Sequence, residues 1–106
     1  MPSLREWLAG QLGPVLPRRA DAARALHLSE RTLARRLQAQ GHSYEQLLDV
    51  VRKEAALHAV AQSSRTLPDI AQALGFAELS PFYRAFRRWT GVTPGQWRKQ
   101  HAGAVR

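Results

Sequence analysis

The sequence contains no cysteine, so it can build neither a disulfide framework nor a thiolate metal site, and a reducing compartment suits it. No apolar run approaches the ~18 residues of a membrane-spanning helix and no signal peptide opens the chain, so a soluble, cytoplasmic protein is expected. Catalytic groupings are missing too. The four histidines, His27, His42, His58 and His101, have no partner at metal-binding spacing. Ser29 and Ser80 lack a histidine and an acid at triad spacing, and helix capping accounts for both. Gly13, Gly75 and Gly91 form no phosphate loop, so neither an enzyme nor a metal or cofactor site is expected. Acid is scarce: eight Asp plus Glu stand against 16 Lys plus Arg, for a net charge of +8 and a pI near 11.5. That balance indicates a polyanionic partner, nucleic acid or an anionic membrane. Fourteen of the basic residues are arginine, a bias that suits bidentate recognition of phosphate or guanine.

What the chain does have is a repeat. Asp21-Ala-Ala-Arg-Ala-Leu26 matches Asp69-Ile-Ala-Gln-Ala-Leu74 at a separation of 48 residues, and Leu33 and Leu37 match Phe82 and Phe86 at 49, so the second copy has gained one residue in its turn. In the second copy a short helix ends at Gly75 and another starts at Pro81 behind an expected N-cap at Ser80. Phe82, Phe86 and Trp89 then follow the i, i+4, i+7 spacing of a buried face. With Phe82 at zero, Ser80, Arg84 and Arg87 project ~140 to 200° away and Arg88 lies at the flank. In the first copy, with Leu33 at zero, Leu37 lies at ~40° and Arg31 and Arg35 at ~160 and 200°. A short helix, a turn and an amphipathic helix with an arginine-bearing outer face make a helix-turn-helix, whose second helix enters the DNA major groove.

The remaining helices follow in order. Ser3 with Glu6 is a capping-box pattern for a helix from Ser3 to Leu12, ended by Gly13-Pro14. The loop to Arg19 is expected to tuck Val15 and Leu16 into the core. A helix over Ala20 to Leu26 precedes one that Ser29 caps and Gly41 ends. Ser43 caps a long helix from Tyr44 to Ala61, with Tyr44, Leu47, Leu48, Val51 and Ala55 in one stripe and Asp49, Arg52 and Lys53 off it. Eighteen residues span ~27 Å, enough to fix the separation of two reading heads. Thr66 caps a helix over Leu67 to Leu74, Thr93-Pro94 opens a last short helix, and His101 to Arg106 reads as a frayed tail. The tryptophans Trp7, Trp89 and Trp97 have core spacing, a reading preferred to base stacking.

The stretch ALGFAELSPFYRAFRRWTGVTPGQWR resembles the second helix-turn-helix signature of the AraC/XylS family of bacterial transcription regulators, at Ala71, Gly75, Phe76, Phe82, Arg84, Phe86, Gly91, Pro94 and Arg98. LSERTLARRLQAQG resembles the first, and together they cover nearly the whole chain. The resemblance implies an all-α, seven-helix fold with two helix-turn-helix subdomains joined by a long linker helix, inserting the third and sixth helices into successive major grooves. It divides the chain into 1–42, 43–62 and 63–106. It also implies contact with RNA polymerase. Family members often carry a sensor domain in front, so this chain is either the DNA-binding portion of a longer protein or a stand-alone regulator; RTLARRLQAQG and VRKEAA resemble the subgroup with an arabinose-binding-type sensor, which favours the former.

On this reading the partner is a double-stranded DNA operator, bound by a monomer and without a membrane. Arg31, Arg35, Ser80 and Arg84 are expected to read base edges, with Ala34 and Tyr83 against thymine methyl groups. Arg18, Arg19, Ser29, Arg65, Arg87, Arg88 and Arg98 are expected at phosphates. The competing class is a basic helical interaction module for an acidic protein or an anionic membrane surface. A single-strand RNA reader would need an aromatic platform that these helices do not offer.

Overall fold

The computed structural model describes residues 3–102. Its seven helices are α1 (Leu4–Gln11), α2 (Arg19–Ala25), α3 (Glu30–Ala39), α4 (Tyr44–Gln62), α5 (Leu67–Ala73), α6 (Leu79–Thr90) and α7 (Pro94–His101). His101 belongs to α7 and Ala102 caps it; the rest of the expected tail, residues 103–106, lies outside the described residues.

Side-chain caps start most of these helices. Ser3, Ser29, Ser43, Thr66 and Thr93 each accept a hydrogen bond from the backbone N–H three residues on, which satisfies one orphan donor of the first turn. The backbone N–H groups of Ser43 and Thr93 in return donate to Oε1 of Gln46 and Gln96, which completes a capping box. The exceptions are α2, which starts behind Arg18, and α6. The latter begins at Leu79, two residues earlier than Ser80 suggests, behind Glu78, whose side chain makes no capping bond. Ser80 therefore sits in the first turn with its hydroxyl free of the capping task.

Both short helices of the repeat end in the same left-handed turn. Leu28 N–H bonds to Ala23 carbonyl and His27 N–H to Arg24 carbonyl, as Phe76 N–H bonds to Ala71 carbonyl and Gly75 N–H to Gln72 carbonyl. The left-handed position is Gly75 (φ 85°) in the second copy and His27 (φ 59°) in the first. A Cβ on Gly75 would lie 2.6 Å from Leu16 Cγ, so glycine serves both the backbone and the close approach of the α1–α2 loop. Leu16 thus packs inward as expected, whereas Val15 is 86% exposed: two adjacent residues in a turning loop cannot both face the same core. The two turns predict opposite responses. His27→Gly removes left-handed strain and should raise stability by roughly 0.5 to 1 kcal/mol after the entropic cost of glycine. Gly75→Ala should lower it by at least about 1 to 2 kcal/mol. Thermal unfolding checks both, and a fall in midpoint for His27→Gly would show the turn to be unstrained.

The core is in two parts, and α4 is common to both. Leu8, Ala22, Ala23, Leu33 and Leu37 pack with Tyr44 and Val51 of the first half of α4. Ile70, Ala71, Leu74, Phe82 and Phe86 pack with Ala56 and Val60 of its second half. The stripe on α4 accordingly shifts from Tyr44 and Val51 to Ala56 and Val60, following neighbours that themselves change along the helix. The first core is aliphatic apart from Tyr44 and the flanking Trp7; the second is an aromatic nest in which Phe82 and Phe86 stand 5.9 Å apart, Phe76 and Phe82 5.4 Å, and Phe86 and Trp97 6.0 Å, in tilted or edge-on contact. At 19 residues, α4 is ~28 Å long, and the molecule is elongated, 44 × 25 × 24 Å. Two helix-turn-helix subdomains, α2–α3 and α5–α6, are joined by that long helix, with α1 and α7 buttressing its two halves.

Candidate nucleic-acid interface

Burial of Leu33 and Leu37 on α3, and of Phe82, Ala85 and Phe86 on α6, fixes which face of each helix points outward. Arg31, Ala34 and Arg35 are exposed on α3, and Ser80, Arg84 and Arg87 on α6. Arg31, Arg35, Arg84 and Arg87 take no part in any ion pair among the described residues; those are Arg5–Glu54, Arg19–Glu45, Arg24–Asp21 and Arg88–Asp49. Four guanidinium forks on equivalent faces of two repeated helices are thus free for an external acceptor. Tyr83 is half-buried, its ring edge-on to Phe82 at 6.2 Å, so only part of it faces outward.

The other expected contacts fall into two groups. Arg18, Arg19, Ser29 and Arg65 are exposed at helix starts and in the α4–α5 linker. Arg19 lies 3.9 Å from Glu45, a loose surface pair. Ser29 already accepts from Thr32 N–H at 3.1 Å. Beside them an open cleft of about 470 Å³, lined by Arg19, Ala34, Gln38 and Glu45 among others, runs between α3 and the start of α4.

Arg88 and Arg98 are committed within the protein. Arg98 donates from Nε to the Val60 carbonyl (3.0 Å) and from Nη2 to the carbonyls of Ser63 (3.3 Å) and Arg65 (2.7 Å). It brackets α7 to the end of α4 and satisfies carbonyls where that helix stops, so its guanidinium is largely occupied within the protein. Arg88 forms a bidentate pair with Asp49 on α4, at 3.1 and 3.0 Å, and Trp89 Nε1 donates to the same carboxylate at 3.1 Å. Its charge is locally cancelled, so it is a weaker phosphate ligand than its sequence position suggests. The Arg88 hydrogen bonds hold the Asp49 carboxyl below the usual range against a smaller opposing effect of burial, and Asp49 in turn raises Arg88. A depressed carboxylate stabilises the fold above its unfolded pKa, and that contribution is lost as pH falls through the folded value.

Arg52, one turn further along α4, is off its apolar stripe but does not face open solvent. It is half-buried, donates from Nε to the Leu74 carbonyl at 2.9 Å, and lays its guanidinium 3.9 Å from the centre of the Phe76 ring. Burial lowers its pKa, an effect opposed by Asp49. In the first half, Tyr44 hydroxyl donates to the Pro17 carbonyl at 2.7 Å and holds the loop that carries Arg18; burial first, then the charges of Asp21 and Glu45, push it up to about 12. Among the described residues, no group of acids and histidines could hold a metal ion and no helix is long and apolar enough to cross a membrane.

Two reading heads on one helix, each with a free arginine face, define a helix-turn-helix DNA-binding domain. The profile of the helix-turn-helix domain family matches residues 22–100, and this chain belongs to that family, among bacterial transcriptional regulators related to the AraC/XylS type. It is 47% identical over 79 residues to the ornithine utilization regulator of Pseudomonas aeruginosa, covering 74% of this chain and 23% of that protein. It therefore spans about a quarter of the length of such relatives. The structure superposes on the transcriptional regulator CdpR of Pseudomonas aeruginosa with a TM-score of 0.75 at 34% identity, covering 93% of this chain and 32% of that one. The fold is also shared with an AraC-type transcriptional regulator of Chromobacterium violaceum, at a TM-score of 0.83 and 23% identity over 93% of this chain and 88% of that one.

Proposed function

We propose that this chain regulates transcription by sequence-specific binding of double-stranded DNA, with α3 and α6 in adjacent major grooves. The observation that carries the proposal is the pair of outward faces bearing Arg31 and Arg35, and Arg84 and Arg87, free of protein partners at equivalent places in the repeat. Arg31, Arg35, Ser80 and Arg84 read base edges, guanine being the natural partner of each arginine; Ala34 and the outer part of Tyr83 meet thymine methyl groups. Arg18, Arg19, Ser29, Arg65 and Arg87 hold phosphates and set the register. Segments 1–42 and 63–106 are the two heads, and 43–62 is the helix whose sides both cores use. A monomer occupies one operator in the bacterial cytoplasm, with RNA polymerase as the further partner that the family resemblance implies.

The interaction-module reading has less support. Val15 and Leu79 are the large apolar residues exposed among those described, and they do not form the broad outward apolar face by which an amphipathic helix enters a membrane. One gel-shift series with unrelated duplex, single-stranded DNA and anionic liposomes separates the classes, and salt refines it. With about five to seven phosphates contacted, log K against log salt should have a slope of roughly −4.5 to −6. A slope shallower than about −2, or liposome binding as tight as duplex binding, would overturn the DNA assignment.

A further inference from the structure

The length of α4 sets how far apart the two reading heads sit, but not the angle between them. In this chain a single turn of α4 grips both heads. Leu47, Leu48 and Val51 are packed in the first core. Between them Asp49 accepts three hydrogen bonds from the last turn of α6, two from Arg88 and one from Trp89. Arg52, on the next turn, holds the Leu74 carbonyl and covers Phe76 in the turn before α6. The Phe76 ring lies 6.5 Å from Trp89, so the two grips share an aromatic contact. The end of α6 is therefore referenced to the same helical turn whose apolar residues share the first core with α1 and with Leu33 and Leu37 of α3.

We infer that Asp49 is a positioning residue that fixes the angle of the second recognition helix to the first, and so sets how strictly the protein demands one spacing between its half-sites. This deepens, and rests on, the proposed two-headed reading of DNA. The geometry is suited to the task. A bidentate guanidinium–carboxylate pair constrains direction as well as distance, and the indole N–H fixes the remaining rotation. All three donors come from adjacent residues at the C-terminal end of α6, so rotation about that end moves Ser80 in the first turn the most and Arg84, in the second turn, by less. Asp49 touches none of the residues assigned to bases, and its side chain is about one-third exposed, so a change there loosens a restraint without opening a core.

The test compares the parent with Asp49→Asn, which cannot pair with Arg88 through two charged oxygens. The absence of cysteine lets Ala39→Cys at the end of α3 and Ala77→Cys before α6 take spin labels at two defined places. Both positions are exposed and outside the assigned DNA contacts. The label-to-label distance distribution should be narrow in the parent and broader in Asp49→Asn. Unchanged breadth overturns the inference. If Asp49→Asn unfolds, Arg88→Gln breaks the same bridge and serves for the distance measurement. The second readout uses 30-base-pair duplexes selected by the parent from a random pool. One inserted base pair between half-sites should cost the parent about tenfold and Asp49→Asn less than about threefold, because a loose second head has a lower effective concentration but tolerates more geometries. A duplex with the second half-site scrambled should bind both proteins within about twofold. An equal spacing penalty in both proteins also overturns the inference. A parent that selects no sequence at all instead defeats the DNA-reading proposal, and the label distances then decide the clamp independently.

Discussion

Leu57→Pro is expected to leave the first half of the molecule folded and to strip the second half of its stability. Position 57 lies inside α4, where proline removes the bond from its own N–H to the carbonyl four residues back and drives its ring into that carbonyl, at ~3 kcal/mol or more. The break falls after Val51, the last α4 residue in the first core, and among Ala56 and Val60, which belong to the second. It also displaces the Leu57 carbonyl, which accepts the Trp97 indole N–H at 3.4 Å. Amide exchange should therefore lose protection in α5, α6 and α7 while α1, α2 and α3 retain theirs. Binding should fall to that of one half-site. Leu57→Ala keeps the N–H, loses only part of a half-buried side chain, and should retain two-site binding. If Leu57→Pro bound the full site as tightly as the parent, α4 would not be the element that joins the heads.

Much of this fold is legible because it is written twice. The 48- and 49-residue offsets place both short helices, both recognition helices and the extra turn residue, and the capping residues mark most boundaries. The same offset carries Ser29 onto Glu78, which is where α6 starts. Ser80 has the local capping propensity, but the repeat places the helix start two residues earlier, behind Glu78. Gly75 was visible as a helix end, but His27 in the equivalent left-handed turn was not, since a histidine carries no such signal and the packing of the loop imposes it.

The charged residues divide by the distance of their partners. Faces of α3 and α6 follow from helical period alone, so Arg31, Arg35, Arg84 and Arg87 were placed outward from sequence and are outward in the structure. Asp49, Arg52, Arg88 and Arg98 find partners 22 to 40 residues away, which no local period encodes. For Arg88 the flanking angle was a weak signal, because a residue between the buried and exposed faces of a helix meets whatever packs beside it. Asp49 and Arg52, three apart on α4, lie on one side of it, but an acid and a base at that spacing are also what a solvent-facing helix carries, so nothing local marks that side as packed.

Inserting about five base pairs between the half-sites of the operator is expected to reduce binding to the level of one half-site, a loss of roughly a hundredfold or more. The two heads are covalently joined and differ in sequence, Arg31-Thr-Leu-Ala-Arg35 against Ser80-Pro-Phe-Tyr-Arg84, so the operator unit should be asymmetric, in contrast to the palindromes that two-fold dimers read. Recognition helices on one face of the duplex need half-sites about one helical turn apart, roughly 10 to 10.5 base pairs. A five-base-pair insertion carries the second groove to the opposite face and ~17 Å further along the axis. The longest dimension of the molecule is 44 Å and α4 spans only ~28 Å, while the cores on both sides of α4 forbid it from bending to follow. A ten-base-pair insertion restores the face but adds ~34 Å, so it should be no better bound than the five-base-pair one. Recovery at ten base pairs would mean that the heads are flexibly tethered. Undiminished affinity at five, or two chains on the minimal site, would show that α3 and α6 of one chain do not read adjacent grooves together.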